Sequence, residues 1–170
     1  MAAITFLIEG AVLDWGALLL IQRELAEAQT AGVGYIVFSI TMVFARLTGD
    51  QTIERFGALQ VFITGGFAAM AGIIVILIAP SGMVALVGFG LIGLGAANLV
   101  PIVFSAAGRQ RVMPPSLAVA TVTTVGYAGI LLGPALIGGV AALSSLADAF
   151  WLLAALMICV PLAAKRVTQI

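Results

Sequence analysis

The sequence predicts an all-α membrane protein with six transmembrane helices, and two observations lead to this fold class. Charged side chains make up only 8% of the 170 residues and apolar ones 63%, whereas a soluble domain carries about 25% charged residues. The charges fall mostly into short breaks between apolar stretches of about 20 residues, the length that a helix needs to cross a bilayer. These stretches should be helices, because a backbone in lipid has no water to satisfy its polar groups.

The apolar stretches define one domain, residues 1–170, with six spans in chain order. The first span ends before the charged segment 23–27, and the second ends at the polar segment 46–57. The third ends at the turn 80–82, the fourth before the basic segment 109–111, and the sixth before Lys165. The predicted spans cover residues 2–21, 32–47, 58–79, 83–107, 117–142 and 146–164.

The basic residues predict the orientation of the chain. Six of them would lie on one side of the membrane, and on the other side Arg23 is outnumbered by Glu24 and Glu27. Because cytoplasmic segments carry the excess of lysine and arginine, both termini are expected in the cytoplasm, as an even number of spans requires. The six basic residues are Arg46, Arg55, Arg109, Arg111, Lys165 and Arg166.

The composition disfavours several functional classes. Histidine is absent and Cys159 is the single cysteine, which removes His-ligated metal sites and His-based nucleophile triads. The formal charge is zero, so nucleic acid is not an expected partner. The segment 88–93 matches the dinucleotide fingerprint, but it lies in an apolar span and is better explained by close helix packing. We therefore expect no metal, no cofactor and no enzymatic activity.

Four polar residues within the spans are candidates for binding a substrate or a coupling ion: Glu9, Asp14, Asn98 and Tyr127. A carboxylate in a span is costly and is a functional candidate by default. Glu9 and Asp14 are about 140° apart around a helix, so they are not expected on one face. Each candidate has an alternative: Asp14 beside Trp15 also suits a hydrated interface position, and Asn98 also suits a hydrogen bond between helices. Tyr127 is the weakest of the four.

The segment between the second and third spans is the strongest local signal, because it carries charges of both signs. Arg46 lies one turn before Asp50, so the two are expected to pair. Glu54 is expected near the positive end of the third span, and Arg55 follows it. Such a loop suits a latch at the cytoplasmic ends of two helices. A solvated loop whose arginines fix the topology explains the same charges equally well.

Small residues and prolines predict how the later spans pack and bend. Gly129 and Gly133 form a small-xxx-small pair, which lets membrane helices approach closely. Pro134 in the fifth span and Pro101 in the fourth each remove a backbone donor, so both are expected to bend their helices.

The same charged segment resembles the loop motif of the major facilitator superfamily of secondary transporters, which reads roughly G-x-L-A-D-R-x-G-R-K. With Gly57 at the second glycine of the motif, Glu54 and Arg55 fall on its Asp-Arg pair. Asp50 then stands at the first glycine, with Gly49 one residue earlier, and the basic pair at the end of the motif is missing.

A second resemblance lies in the fifth span. The run Gly126-Tyr127-Ala128-Gly129, followed by Gly133-Pro134, is similar to the glycine-proline motif of the fifth helix in each half of these transporters. Together with Glu9 and Asn98, these motifs make the whole chain resemble helices seven to twelve, the C-terminal half, of a bacterial sugar-permease-like branch.

The resemblance implies a secondary active transporter in the bacterial inner membrane. A small solute would bind near the middle of the lipid bilayer, between two six-helix halves that rock against each other. Glu9 would be the coupling or binding carboxylate, and the segment 46–57 the cytoplasmic latch. The other half would come from the same full-length chain, of which this would be a fragment, or from a second copy. The alternative is a six-span scaffold or assembly subunit that transports nothing.

Overall fold

The computed structural model describes residues 1–168, and within that range the regular structure is entirely α-helical. Polar turns, glycines and single interrupting residues separate the helices. In chain order the helices are α1 (Ala2–Gln22), α2 (Val33–Leu47), α3 (Gly49–Phe56), α4 (Ala58–Ile78), α5 (Gly82–Ala96), α6 (Leu99–Arg109), α7 (Pro115–Leu143), α8 (Leu146–Met157) and α9 (Cys159–Thr168).

Each predicted span coincides with one helix or with two consecutive helices, and the molecule is a multi-pass membrane protein. The helices α1, α4 and α7 and the combined segment Gly82–Arg109 are long and apolar enough to cross a membrane. The pair α2 and α3, bent by 58°, is a fifth candidate as one broken span, whereas Leu146–Leu162 is a shorter apolar segment. Within residues 1–168, four or five helices therefore meet the length and composition requirements for a span, and six crossings stay a prediction.

The loop expected between the second and third spans is a helix, α3, which corrects the prediction. The chain turns at Thr48, whose hydroxyl donates to the carbonyl oxygen of Phe44 at 3.1 Å. Asp50 stands in the first turn of α3 and Arg55 in its last turn, where each charge is favourable to the helix dipole. Gly57 then connects α3 to α4 with a φ of +81°, a left-handed conformation that glycine adopts without strain.

The helices α4 and α5 touch through their backbones. A Cβ built on Gly72 would lie 2.6 Å from the Gly88 carbonyl oxygen, and one on Gly65 would lie 2.6 Å from the Gly95 carbonyl oxygen. Gly93 lies against α2, where a Cβ would overlap the Phe38 carbonyl oxygen. Glycines of the stretch that matches the dinucleotide fingerprint therefore lie at contacts between helices. α5 packs against both α2 and α4.

The helices α1 and α7 form a second extensive contact. A Cβ at Gly129 would overlap the backbone of Ala3, and one at Gly133 would lie 3.1 Å from a methyl carbon of Leu7. α7 runs without interruption from Pro115 to Leu143, with Pro134 inside it. The bend expected at Pro134 stays a prediction.

Arg23 has a structural role at the end of α4. It follows α1, and its guanidinium donates hydrogen bonds to the carbonyl oxygens of Ile76 and Ala79. These carbonyls belong to the last turn of α4 and its C-cap, where the Ile76 oxygen also accepts a long hydrogen bond of 3.5 Å from the Ala79 N–H. A cation there also complements the negative end of the helix dipole.

Candidate functional site

An ion pair links the middle of α1 to the end of α2. Nη2 of Arg46 lies 3.4 Å from Oε1 of Glu9, and 19% of the Glu9 side chain is exposed, against 45% for Arg46. Glu9 is thus the more enclosed member. A charge within a span is tolerated when it is paired or reaches a polar cavity, and the first condition applies to Glu9.

The expected pairing of Arg46 with Asp50 is wrong. Within residues 1–168, the carboxylate at ion-pair distance from Arg46 is Glu9 of α1. The rule that residues four apart face each other holds only along a continuous helix. The chain bends by 58° between α2 and α3, and this bend separates Arg46 from the residue that follows it by one turn.

A backbone carbonyl holds the same arginine from a second direction. Nε of Arg46 donates a hydrogen bond of 3.3 Å to the carbonyl oxygen of Ala97. Ala97 lies four residues before Pro101, and proline has no N–H to bond the carbonyl four residues earlier. The oxygen that Pro101 leaves free is therefore the one that Arg46 uses. The fourth span is interrupted at this point, because α5 ends at Ala96 and α6 begins at Leu99.

Asn98 joins this break to the break between α2 and α3. Its Nδ2 donates a hydrogen bond of 3.4 Å to the carbonyl oxygen of Ala45. Its Oδ1 lies against Gly49, so closely that a Cβ there would overlap it. The two interrupted helices thus meet at Asn98, and Gly49 leaves room for the amide.

The other two intramembrane candidates lie outside the ion pair. Asp14 is exposed and forms no ion pair with the described residues. Tyr127 of α7 stacks on Phe6 of α1, with ring centroids 5.8 Å apart and planes inclined by 17°, and it is 57% exposed. Glu9, Arg46 and Asn98 therefore lie close together, since Arg46 contacts Glu9 and the residue before Asn98. Asp14 and Tyr127 take no part in these contacts.

The remaining residues of the expected latch are exposed on α3. Arg55 lies over the Phe56 ring, 5.4 Å from its centroid. Glu54 was expected beside the start of the third span, but it lies in the last turn of α3 and is separated from α4 by Gly57. Within the described residues, Asp50, Glu54 and Arg55 form no ion pair with one another.

A cleft next to Asn98, lined by both polar and apolar residues, was not anticipated from the sequence. Its volume is about 410 Å³, and α2, α3, α4 and α5 form its walls. The hydroxyls of three lining threonines donate to carbonyls of their own helices, which leaves oxygen lone pairs free to accept hydrogen bonds. The polar side chains that line the cleft are Thr48, Thr52, Gln60, Thr64 and Asn98. The signal in the sequence was the spacing of Thr48, Thr52, Gln60 and Thr64 at multiples of four residues, which places them on one side of consecutive helical turns.

Sequence relatives extend over nearly the whole chain. The chain is 47% identical over 166 residues to an uncharacterised MFS-type transporter of Yersinia pestis, which covers 98% of this chain and 43% of the relative. It is 36% identical over 141 residues to the membrane protein MosC of Rhizobium meliloti, covering 83% of this chain and 35% of that protein. A third relative, an uncharacterised transporter of Sinorhizobium fredii, is 37% identical over 130 residues, or 76% of this chain and 34% of the relative.

The chain spans less than half the length of each of these curated relatives. No family model matches it, and no solved structure matches it at a significant level. Two of the three relatives are named as transporters, and one of these names gives the superfamily that the charged segment and the fifth span resemble. The chain belongs to the MFS-type transporters of the major facilitator superfamily.

Proposed function

We propose that this chain is the C-terminal six-helix half of a secondary active transporter that moves a small solute by alternating access. The single observation that carries the proposal is the alignment of 98% of the chain with 43% of an MFS-type transporter. One half supplies one wall of a cavity between two rocking halves. The other wall would come from an N-terminal half of the same full-length chain, or from a second copy.

The Glu9–Arg46 pair supports a place for the pathway on this half. Arg46 is partly exposed although it lies within the α2–α3 span candidate, as suits a residue that faces a water-filled cavity. We assign Glu9 as the carboxylate that binds the solute or the coupling ion. Asn98 is assigned to hold the interrupted helices in place beside it. The basic residues favour an inner-membrane protein with both termini in the cytoplasm.

The competing hypothesis, a membrane scaffold that transports nothing, needs no water near Glu9. Gly10 is suited to a test, because a Cβ at this position would meet no atom within 4 Å. Ala11, one residue further, is 2% exposed and provides a matched control. Cysteine would be placed at either position in the full-length protein after Cys159→Ser removes the native thiol.

A water-soluble thiol reagent applied to membrane vesicles should label Gly10→Cys and leave Ala11→Cys unlabelled. Absence of labelling at both positions, in protein that folds normally, would favour the scaffold and contradict a water-accessible pathway.

The same membranes can be used to test whether the N-terminal half belongs to the same polypeptide. An antibody against the C-terminal segment should detect a native polypeptide of about twice 17.3 kDa or more if both halves share one chain.

A further inference from the structure

The cleft next to Asn98 continues into a second cavity that follows α5. This second cavity measures about 370 Å³, and apolar side chains of α2 and α5 line it, among them Val37, Met83 and Val87. Leu94 lines both cavities, so together they form one groove along α5. The groove has a polar end beside α3 and an apolar end beyond Leu94.

The groove lies on the side of α2 that faces away from α1. Val37 precedes Arg46 by nine residues, which is half a turn around the helix at 100° per residue. Arg46 contacts Glu9 of α1, so Val37 and the groove lie on the opposite side of α2. At its apolar end, Val87 is 60% exposed and Met83 75% exposed. Large apolar side chains at the surface of a membrane helix face hydrocarbon, and the groove is therefore open to the bilayer.

The polar end of the groove extends through the depth of one membrane leaflet. Gln60 and Ala68 of α4 both line the cleft, and the eight residues between them correspond to about 12 Å along the helix. Gln60 lies in the first turn of α4, which begins at Ala58. The hydrocarbon of one leaflet is about 15 Å deep, half of the ~30 Å core. The basic residues predict that this leaflet is the cytoplasmic one.

A single cation stands at the mouth of the groove. Phe56 lines the cleft, and the Arg55 guanidinium lies over its ring, 5.4 Å from the centroid. Arg55 is about 60° around α3 from Thr52, which also lines the cleft. The carboxylates of Asp50 and Glu54 are each two residues from Thr52, about 160° away on the far face. Within residues 1–168, Arg55 forms no ion pair, so the mouth carries a positive charge without a carboxylate partner.

We propose that this groove binds one phospholipid of the leaflet next to α3, with its phosphate on Arg55 and an acyl chain along α5. Arginine N–H groups match the oxygens of a phosphate. The Gln60 amide is exposed and makes no hydrogen bond with the described residues, so its N–H groups are free to donate to the ester oxygens of the lipid. The acyl chain fills the apolar end beyond Leu94. The site is on a different face from the proposed solute pathway and does not depend on transport.

A water-soluble anion fits the groove less well than a lipid does. It would occupy the mouth and leave the apolar end empty, and the side chains that line an empty cavity lose their dispersion contacts. Water does not replace them, because apolar cavities stay dry. One phospholipid contacts the cation, the polar side chains and the apolar end together. The order of these three features along the groove is the order of phosphate, ester and chain in a lipid.

The test uses the purified full-length protein, stripped of lipid in detergent, and three probes. Dioleoyl phosphatidylglycerol carries both the phosphate and the chains, glycerol 1-phosphate carries the phosphate alone, and dioleoylglycerol carries the chains alone. Binding is measured as a rise in melting temperature and as lipid retained in native mass spectrometry. The variants are Arg55→Gln and Ala68→Phe, whose ring would occupy the cleft. The matched controls are Glu54→Gln on the same helix and Ala155→Phe at an exposed position of α8.

We expect the phospholipid to raise the melting temperature of the wild type more than either partial probe does. Arg55→Gln should weaken phospholipid binding roughly fivefold, the contribution of one basic residue near an anionic lipid surface. Ala68→Phe should retain one lipid fewer than the wild type. Glu54→Gln should bind the lipid as well as the wild type or more tightly, and Ala155→Phe should bind it as the wild type does.

Three results would overturn the proposal. Equal stabilisation by glycerol 1-phosphate would indicate a site for soluble phosphate esters, and equal stabilisation by dioleoylglycerol would remove the role of Arg55. Absence of any lipid effect in the wild type would mean that another part of the full-length chain covers the groove. Phospholipid binding that is unchanged in Arg55→Gln would also contradict the assignment. Arg55 is exposed, so this variant decides the question even if Ala68→Phe fails to fold.

Discussion

The α4–α5 contact gives the sharpest prediction of stability, and Gly72→Ala is the perturbation. A Cβ at Gly72 would lie 2.6 Å from the carbonyl oxygen of Gly88 and 2.8 Å from the backbone nitrogen of Ile92. Both atoms belong to the backbone of α5, so neither can rotate away as the end of a side chain could. The two helices would have to separate by several tenths of an ångström along this contact.

The size of the effect follows from the cost of overpacking, which is about 1–3 kcal/mol in a well-packed interior. Replacing glycine by alanine within a helix also contributes a gain of about 0.5–1 kcal/mol. Gly139→Ala isolates this gain, because a Cβ at Gly139 of α7 would meet no atom within 4 Å. The difference between the two variants is therefore expected to be about 1–3 kcal/mol, a change of roughly 5- to 150-fold in the unfolding equilibrium.

The assay is reversible unfolding of the full-length protein in mixed micelles with increasing sodium dodecyl sulfate. Gly72→Ala should unfold at a lower mole fraction of this detergent than wild type, and Gly139→Ala at the same fraction or a higher one. If Gly72→Ala matched Gly139→Ala, the backbone contact between α4 and α5 would be looser than described. Close helix packing would then not explain the glycines of α5.

Three further predictions concern the residues around the ion pair. Gly49→Ala should destabilise the protein by about 1–3 kcal/mol, because its Cβ would displace the Asn98 amide. In unfolding experiments, adding Asn98→Ala to Gly49→Ala should recover part of this loss; fully additive effects of the two changes would refute the contact. Pro101→Ala should restore a backbone donor to the Ala97 carbonyl and displace Arg46 from it. Solute uptake should then slow while the melting temperature of the protein stays equal or rises. Unchanged uptake would show that the hydrogen bond from Arg46 to Ala97 does not matter for transport. Arg55→Ala should slow cycling and leave solute affinity largely intact, measured as exchange rate against binding; normal exchange would reduce this residue to a topology signal.

The helices could be predicted from the sequence because their signal is local. Runs of apolar residues bounded by charges or turns locate the helices within a few residues, as the bounds of α1 and α4 show. The interruption near Pro101 was expected as a bend, but it lies at positions 97–98. The physical reason is that proline removes the hydrogen bond to the residue four positions earlier, so its effect appears upstream.

The ion pair could not be predicted from local pattern. Glu9 and Arg46 are 37 residues apart in sequence, and their contact depends on how α1 packs beside the end of α2. The rule that residues four apart on a helix face each other predicted Asp50 as the partner of Arg46, because the sequence gave no sign of the 58° bend between α2 and α3. Glu9 was a candidate because a carboxylate in a span is costly, while Ala97 offers only a backbone oxygen and leaves no signal in side-chain chemistry.

Gradient-driven uptake by the full-length protein is the direct test of Glu9 as the coupling carboxylate of a two-half transporter. The full-length protein would be reconstituted in liposomes with a solute that raises its melting temperature, and Glu9→Gln would be compared with Asp14→Asn, since Asp14 is exposed and lies outside the ion pair. We expect Glu9→Gln to lose accumulation against a gradient while it retains solute binding, and Asp14→Asn to accumulate solute as wild type does. Full accumulation by Glu9→Gln would contradict the assignment of Glu9.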